Sequence, residues 1–242
     1  MKRGFAAAMA FGAVALLCAP VAGQDEATSA METVVVTGTE YAALDPNVMP
    51  HSYLLHRADH VITKVRVVCD TRELGKRRQE LKDTLRSMIR DAARTGTISL
   101  GVGDEIVADL TESMLDKVIK PDAKQDTSVA VVVIKTRVST TDLFDDATGR
   151  IERFIESTPK VGRTEILREK GWDLTIVGPE QYRSAIISKV AIDAKKTAAA
   201  FGPDYAVTIA GLQHPVAWYQ KGPLDLALYI PYVMTIAPRE AK

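Results

Sequence analysis

The histidines are the residues whose type and spacing come closest to a metal or catalytic site. The chain has His51, His56, His60 and His214. His56 and His60 are four residues apart, the spacing at which one helical face presents two metal ligands. The segment that holds them turns into a strand pattern, however, and no cysteine or acidic cluster completes a ligand set. We therefore predict no metal site and interpret these histidines as surface or interface residues.

Other polar motifs are equally weak as signs of catalysis. The pair Gly101 and Gly103 lacks the third glycine and the immediate helix of a dinucleotide fingerprint, so we predict a turn. The acidic residues that follow would also repel a phosphate. No serine or threonine has the nucleophile-elbow pattern, and the carboxylate pair Asp145-Asp146 is expected on a solvated helix face. These observations favour a non-enzymatic protein with no catalytic or cofactor-binding residues.

The alternative is an envelope hydrolase or ligand-binding enzyme whose site is assembled from residues distant in sequence. Such a site would leave no local motif, so only its titratable residues could mark it. The residues that we would expect in it are His56, His60, Asp104, Glu105 and His214.

Composition describes an ordinary globular chain. It has 242 residues, with 31 Lys+Arg balanced by 31 Asp+Glu, and this zero net charge gives no basic excess for nucleic-acid binding. The hydrophobic content of 46% and charged content of 26% are typical of a soluble globule, and the length suits one domain or two small lobes.

The N-terminus has the features of a secretory signal peptide. Lys2 and Arg3 precede an apolar stretch at residues 5–17, which is too short to remain as a membrane span. Small residues up to Gly23 predict cleavage after that residue. We expect a signal peptide at 1–23, a flexible lead-in at 24–32, a periplasmic location and no later transmembrane segment. Lipoprotein processing at Cys18 is the alternative, although Leu17 stands where a small residue is needed.

After cleavage Cys69 is the one remaining cysteine, so the mature chain cannot form an internal disulfide. It ends an apolar strand pattern, which favours a buried thiol. The alternative is a redox or intermolecular role.

Residues 171–212 predict a strand, a helix and a second strand. Trp172, Leu174 and Ile176 alternate with polar residues, which is typical of a strand with one buried face. A helix is expected over 179–201, with one apolar stripe and a stop at Gly202-Pro203. A strand follows at 205–209. A helix with one apolar stripe between two strands predicts a β-α-β unit that covers a sheet.

The same order recurs earlier in the chain. Strands are predicted at 60–69 and 97–102 around a helix at 70–94, where Asp70 and Glu73 have the capping-box spacing. Further strands at 128–138 and 161–168 flank a helix at 141–158, and two strands end the chain. We predict an α+β fold over 33–242, with an antiparallel or mixed sheet, long helices packed on one face, and two β-α-β-type lobes at 60–126 and 127–212.

Residues 33–39, TVVVTGT, predict an N-terminal strand. This run is similar to the TonB-box region of outer-membrane receptors, but the chain has no room for the plug and barrel of such a receptor. The hypothesis that remains is that an exposed strand here pairs with an envelope protein partner.

Taken in order, the chain resembles the SIMPL-domain family of secreted bacterial proteins. The resemblance is carried by the strand at 33–39, by the charged helix at 70–94, and by the late helix. That helix opens at Val177-Gly178-Pro179-Glu180 and ends at Asp193-Ala194-Lys195-Lys196-Thr197-Ala198 and Phe201-Gly202. The resemblance implies a periplasmic or envelope-associated assembly or binding module, with homo-oligomers as partners and a link to stress tolerance. It implies no catalytic residues and no cofactor.

Overall fold

The structure is a computed structural model that describes residues 34–35, 52–103 and 106–239. Its helices are α1 (Leu74–Thr95), α2 (Leu115–Val118), α3 (Phe144–Ser157) and α4 (Arg183–Phe201). None of the helices in these ranges is long and apolar enough to cross a membrane. The strands are β1 (Val34–Val35), β2 (Leu54–Arg57), β3 (His60–Cys69), β4 (Ile98–Val102), β5 (Ile106–Asp109), β6 (Lys120–Pro121), β7 (Ser128–Arg137), β8 (Thr164–Arg168), β9 (Asp173–Thr175), β10 (Tyr205–Ala210), β11 (Ala217–Gln220), β12 (Asp225–Tyr229) and β13 (Val233–Pro238).

The main sheet is antiparallel, with strand order β1-β5-β4-β7-β3-β8, and β6 and β9 pair with β7 and β3. Strand β7 lies between β3 and β4, which α1 connects, and β3 lies between β7 and β8, which α3 connects. The two predicted β-α-β units are therefore interleaved in one sheet as split β-α-β units. The predicted α+β class is confirmed.

Alternation along the two central strands decides which face of the sheet the helices cover. Val65 and Val67 of β3 and Val132 and Ile134 of β7 are fully buried. They share one core with Leu81, Leu85 and Met88 of α1 and with Ala147, Ile151 and Phe154 of α3. The opposite face carries a separate small apolar cluster of Ile62, Val107 and Val133. Burying one side of each strand fixes the register, because a one-residue slip would expose the whole set.

A second sheet joins the two ends of the described chain. Strand β12 pairs on one side with β11 and on the other with β2, which lies far earlier in the sequence. Trp218, Leu226 and Leu228 of this sheet are buried in the main core.

Two local sequence predictions were wrong. Asp70 does not cap α1: the helix begins at Leu74, its N-cap residue Glu73 makes no side-chain capping bond, and Asp70 instead accepts two hydrogen bonds from Arg163. Gly101 lies within β4 and not in a turn. A Cβ at this position would stand 2.1 Å from Val107 Cγ1, which explains why the residue is a glycine. The glycine lets β5 fold closely over β4.

The predicted β-α-β unit at 171–212 has the right elements in the right order, but its strands do not share a sheet. Strand β9 pairs with β3, whereas β10 pairs along its whole length with β13. The expected stripe on the helix also fails, since Ile186 and Val190 are the only buried residues of α4. Without a continuous apolar stripe the helix docks on the core by its first half alone.

Candidate functional site

His56 is held by two hydrogen bonds and faces a tyrosine. Its Nδ1 lies 2.5 Å from the carbonyl oxygen of Arg57, and its Nε2 lies 2.7 Å from the Tyr182 hydroxyl. Nδ1 therefore donates and Nε2 accepts from the phenol. Burial, with a contribution from the charge of Asp59, raises the pKa of Tyr182. This keeps the phenol protonated as a donor, so the pair ties the 3-10 turn Pro179–Tyr182, directly before α4, to β2.

Of the other candidate residues of the enzyme alternative, the structure describes His60 and His214, and neither belongs to the sheet that contains His56. His60 is buried at the start of β3 in the main sheet, whereas His56 belongs to the β2 sheet. His214 is exposed, and its backbone carbonyl accepts a hydrogen bond from Arg183. His51, Asp104 and Glu105 lie outside the described residues. Within the described ranges no group of three His, Cys, Asp or Glu side chains is placed to hold a metal ion.

Glu80 forms a buried polar cluster with Cys69 at the end of the main sheet. The Glu80 carboxylate accepts hydrogen bonds from the Thr71 hydroxyl at 2.5 Å, from the Cys69 thiol at 3.3 Å and from the Arg163 backbone N–H at 3.2 Å. Cys69 is 1% exposed. The thiol is thus buried and donates to a carboxylate. The cluster fixes the α3–β8 loop against α1.

The hydrogen bond from Thr71, with those from Arg163 and Cys69, lowers the pKa of Glu80 below its ordinary value of 4.5. A lowered folded-state pKa means that this stabilisation is present above the unfolded pKa and is lost as the pH falls through the folded pKa. We expect Glu80→Gln to reduce the free energy of unfolding by about 1–2 kcal/mol at neutral pH. Denaturant unfolding should show this difference shrinking on acidification below pH 4.5. Glu152→Gln, at an exposed position of α3, is the control that should change stability little, and a pH-independent loss for Glu80→Gln would contradict the assignment.

A surface groove separates β2 from α4. It encloses about 510 Å³ and is lined by Ser52, Tyr53, Leu55, Lys189, Ile192, Asp193 and Lys196. The Ser52 hydroxyl donates to Asp193 across it at 3.2 Å. Leu55 and Ile192 are more than half exposed, at 56% and 54%. None of the three histidines that the structure describes lines this groove, so its chemistry is that of an apolar contact surface with charged margins.

The groove leads onto a surface without any buried residue. From residue 191 to residue 215 no residue is buried, although roughly half of them are apolar. The segment comprises the second half of α4 and strand β10, which pairs with β13 in a two-stranded sheet. No residue of β13 is buried either. We call the second half of α4, with β10 and β13, the ribbon face. Its most exposed large side chains are Ile192, Phe201, Tyr205 and Val233.

The two strands of the ribbon face also present free backbone donors. The Arg239 N–H donates to the Asp204 carbonyl at 2.7 Å, which fixes the alternation of bonded pairs along the strands. The N–H groups of Val207, Ile209, Met234 and Ile236 therefore point away from the partner strand. Within the described part of the chain neither outer edge pairs with a further strand.

The sequence did not predict the ribbon face because the expected stripe on the late helix ran to Phe201, whereas the helix is buried only at Ile186 and Val190. A signal was present: Ile187 and Ile192 fall off the expected stripe, and apolar residues surround much of the helix. A scan of family models, a search of curated proteins and a search of solved structures each find no match for this chain.

Proposed function

We propose that this protein is an exported, non-enzymatic module of the periplasm or cell envelope that assembles with copies of itself through the ribbon face. The observation that carries the proposal is the unbroken stretch at 191–215, in which about half of the residues are apolar and none is buried. Exposed large apolar side chains in a segment of this kind favour an interaction site. Two strands alone are marginally stable in water, so the ribbon gains most from a partner that covers it.

A second copy is the occupant that the charges favour. Neither β10 nor β13 contains a charged residue. Natural proteins protect free sheet edges with lysines or other charges, and an edge without them is normally covered. In a two-fold assembly the same segment meets itself, so any charge near the axis would face a like charge. The neutral strands avoid that conflict.

The periplasmic location and the role in envelope stress tolerance rest on the signal-peptide pattern and on the SIMPL-domain resemblance. Neither depends on the ribbon face. An envelope protein partner is the alternative occupant, and it would leave the isolated chain monomeric.

Sedimentation equilibrium of the mature chain, residues 24–242, tests the proposal. We expect a mass of at least two chains at micromolar concentration, because the proposal requires a second copy to cover the ribbon face. A mass of one chain over the whole micromolar range would contradict assembly with itself. N-terminal sequencing of the exported protein, expected to begin at Gln24, tests the location separately.

A further inference from the structure

A cavity lies beside the first residues of β4, where a neighbouring strand would continue the sheet. The pairing of β4 with β5 is limited to Gly101 and Val102, followed by one bond in which the Leu110 N–H donates to the Leu100 carbonyl at 2.9 Å. After Leu110 the chain leaves the sheet for the turn of 3-10 helix at Glu112–Met114. In the described ranges no strand continues the pairing beyond Leu100.

The backbone N–H and C=O groups of Ile98 therefore face this edge of β4. Because the Leu100 carbonyl points toward β5, the N–H and C=O of Ile98, two residues earlier, point to the same side. The cavity beside these groups encloses about 240 Å³ and is lined by residues from both faces of the sheet. A volume that wraps around a sheet edge in this way is what one further strand would fill.

The helix side of the cavity is apolar. It is formed by Ile89, Ala92 and Ala93 of α1, together with Ile98, Leu100 and Leu110. A side chain pointing to this side from an added strand would lie against methyl and methylene groups. Small or β-branched apolar residues suit such a wall.

The opposite side of the cavity is polar and carries a buried cation. Lys135 lies directly across from Ser99 in the sheet and is only 3% exposed. Its ammonium is 3.4 Å from Oδ1 of Asp109, whose side chain is 55% exposed. A buried ammonium with one partly solvated partner is incompletely compensated, and a carboxylate would be a favourable addition.

We propose that the β4 edge binds a short extended peptide of a partner protein, with an acidic residue facing Lys135 and an adjacent apolar residue, opposite Ile98, facing α1. The added strand would hydrogen-bond to the backbone of Ile98, as in other cases of strand addition to a sheet edge. Alternation along a strand places the acidic residue and this neighbour on opposite sides, as the two walls require. The cavity is smaller than typical ligand pockets, so it suits a segment of a few residues. This site is separate from the ribbon face.

Two capped peptides test the proposal in solution. Acetyl-Val-Asp-Val-amide and acetyl-Val-Asn-Val-amide differ only in the charge of the central residue. In amide NMR titrations of the mature chain we expect both to shift Ile98, Ser99 and Leu110. The aspartate peptide should bind at least about tenfold more tightly, because its carboxylate makes a charge-assisted hydrogen bond.

Two variants and one control connect the effect to the site. Lys135→Met, an apolar replacement of similar length, should abolish the preference for the aspartate peptide, and Lys160→Met at an exposed position should retain it. Ala93→Trp, at an exposed position of α1, should fill the cavity and block both peptides. Equal affinity for the two peptides, shifts confined to other surfaces, or no shift up to the solubility limit would overturn the proposal.

Discussion

Replacing Gly162 with alanine is expected to destabilise the protein by about 3 kcal/mol. Gly162 has a φ of +62°, and a Cβ there would lie 2.1 Å from Cδ of Glu80 and 2.4 Å from each carboxylate oxygen. The left-handed backbone costs a non-glycine residue about 1–2 kcal/mol. Displacing the buried carboxylate would weaken its bonds to Thr71, Cys69 and Arg163 and add about 1–3 kcal/mol.

Gly149→Ala is the matched control for this change. Gly149 lies inside α3, and a Cβ there would meet nothing within 4 Å. Alanine should stabilise the helix by up to about 1 kcal/mol. Both variants can be measured by denaturant unfolding with an unchanged m value. A Gly162→Ala protein as stable as the parent would show that the contact between Gly162 and Glu80 is not rigid.

The double variant Phe201→Glu/Tyr205→Glu is expected to disperse the assembly. The two ring centroids lie 5.8 Å apart and the residues are 53% and 37% exposed in the single chain, so glutamates there remain solvated and should change its unfolding free energy by about 1 kcal/mol or less. In the assembly the same carboxylates would be buried without partners, which costs several kcal/mol. We expect the dissociation constant measured by sedimentation to rise at least about 100-fold.

Leu143→Glu is the control for a new charge at an exposed apolar residue. Leu143 is 71% exposed and precedes the first turn of α3, where a negative charge is favourable. It lies outside the ribbon face, so its variant should sediment like the parent. Equal dissociation of both variants would mean that general charge, and not the ribbon face, controls association.

The main sheet could be predicted from the sequence because its signals are local and agree with one another. Residues 60–69 alternate and 128–137 are rich in valine, and each forms a strand as predicted. The helix at 74–95 carries Leu81, Leu85 and Met88 at helical spacing, and these three side chains are fully buried. Where propensity, periodicity and length all favour one element, tertiary packing keeps that element.

The contacts that matter most for function could not be predicted, because they join residues distant in the sequence. The pairing of β2 with β12 and of β10 with β13 depends on which free edges remain after the core forms. The same holds for the bond between Glu80 and the Arg163 backbone, and for the position of Lys135 beside an unfilled edge. A lysine within the valine-rich strand was the one visible sign of that site.

Amide hydrogen exchange at several protein concentrations tests the central claim most directly, because it reports on the ribbon face itself. The N–H groups of Val207, Ile209, Met234 and Ile236 point away from the partner strand and should exchange quickly in the single chain. We predict that their protection rises with protein concentration in step with the sedimentation mass, while amides of α1 such as that of Leu85 stay equally protected throughout. Exchange at these four amides that is fast and independent of concentration would contradict assembly through the ribbon face.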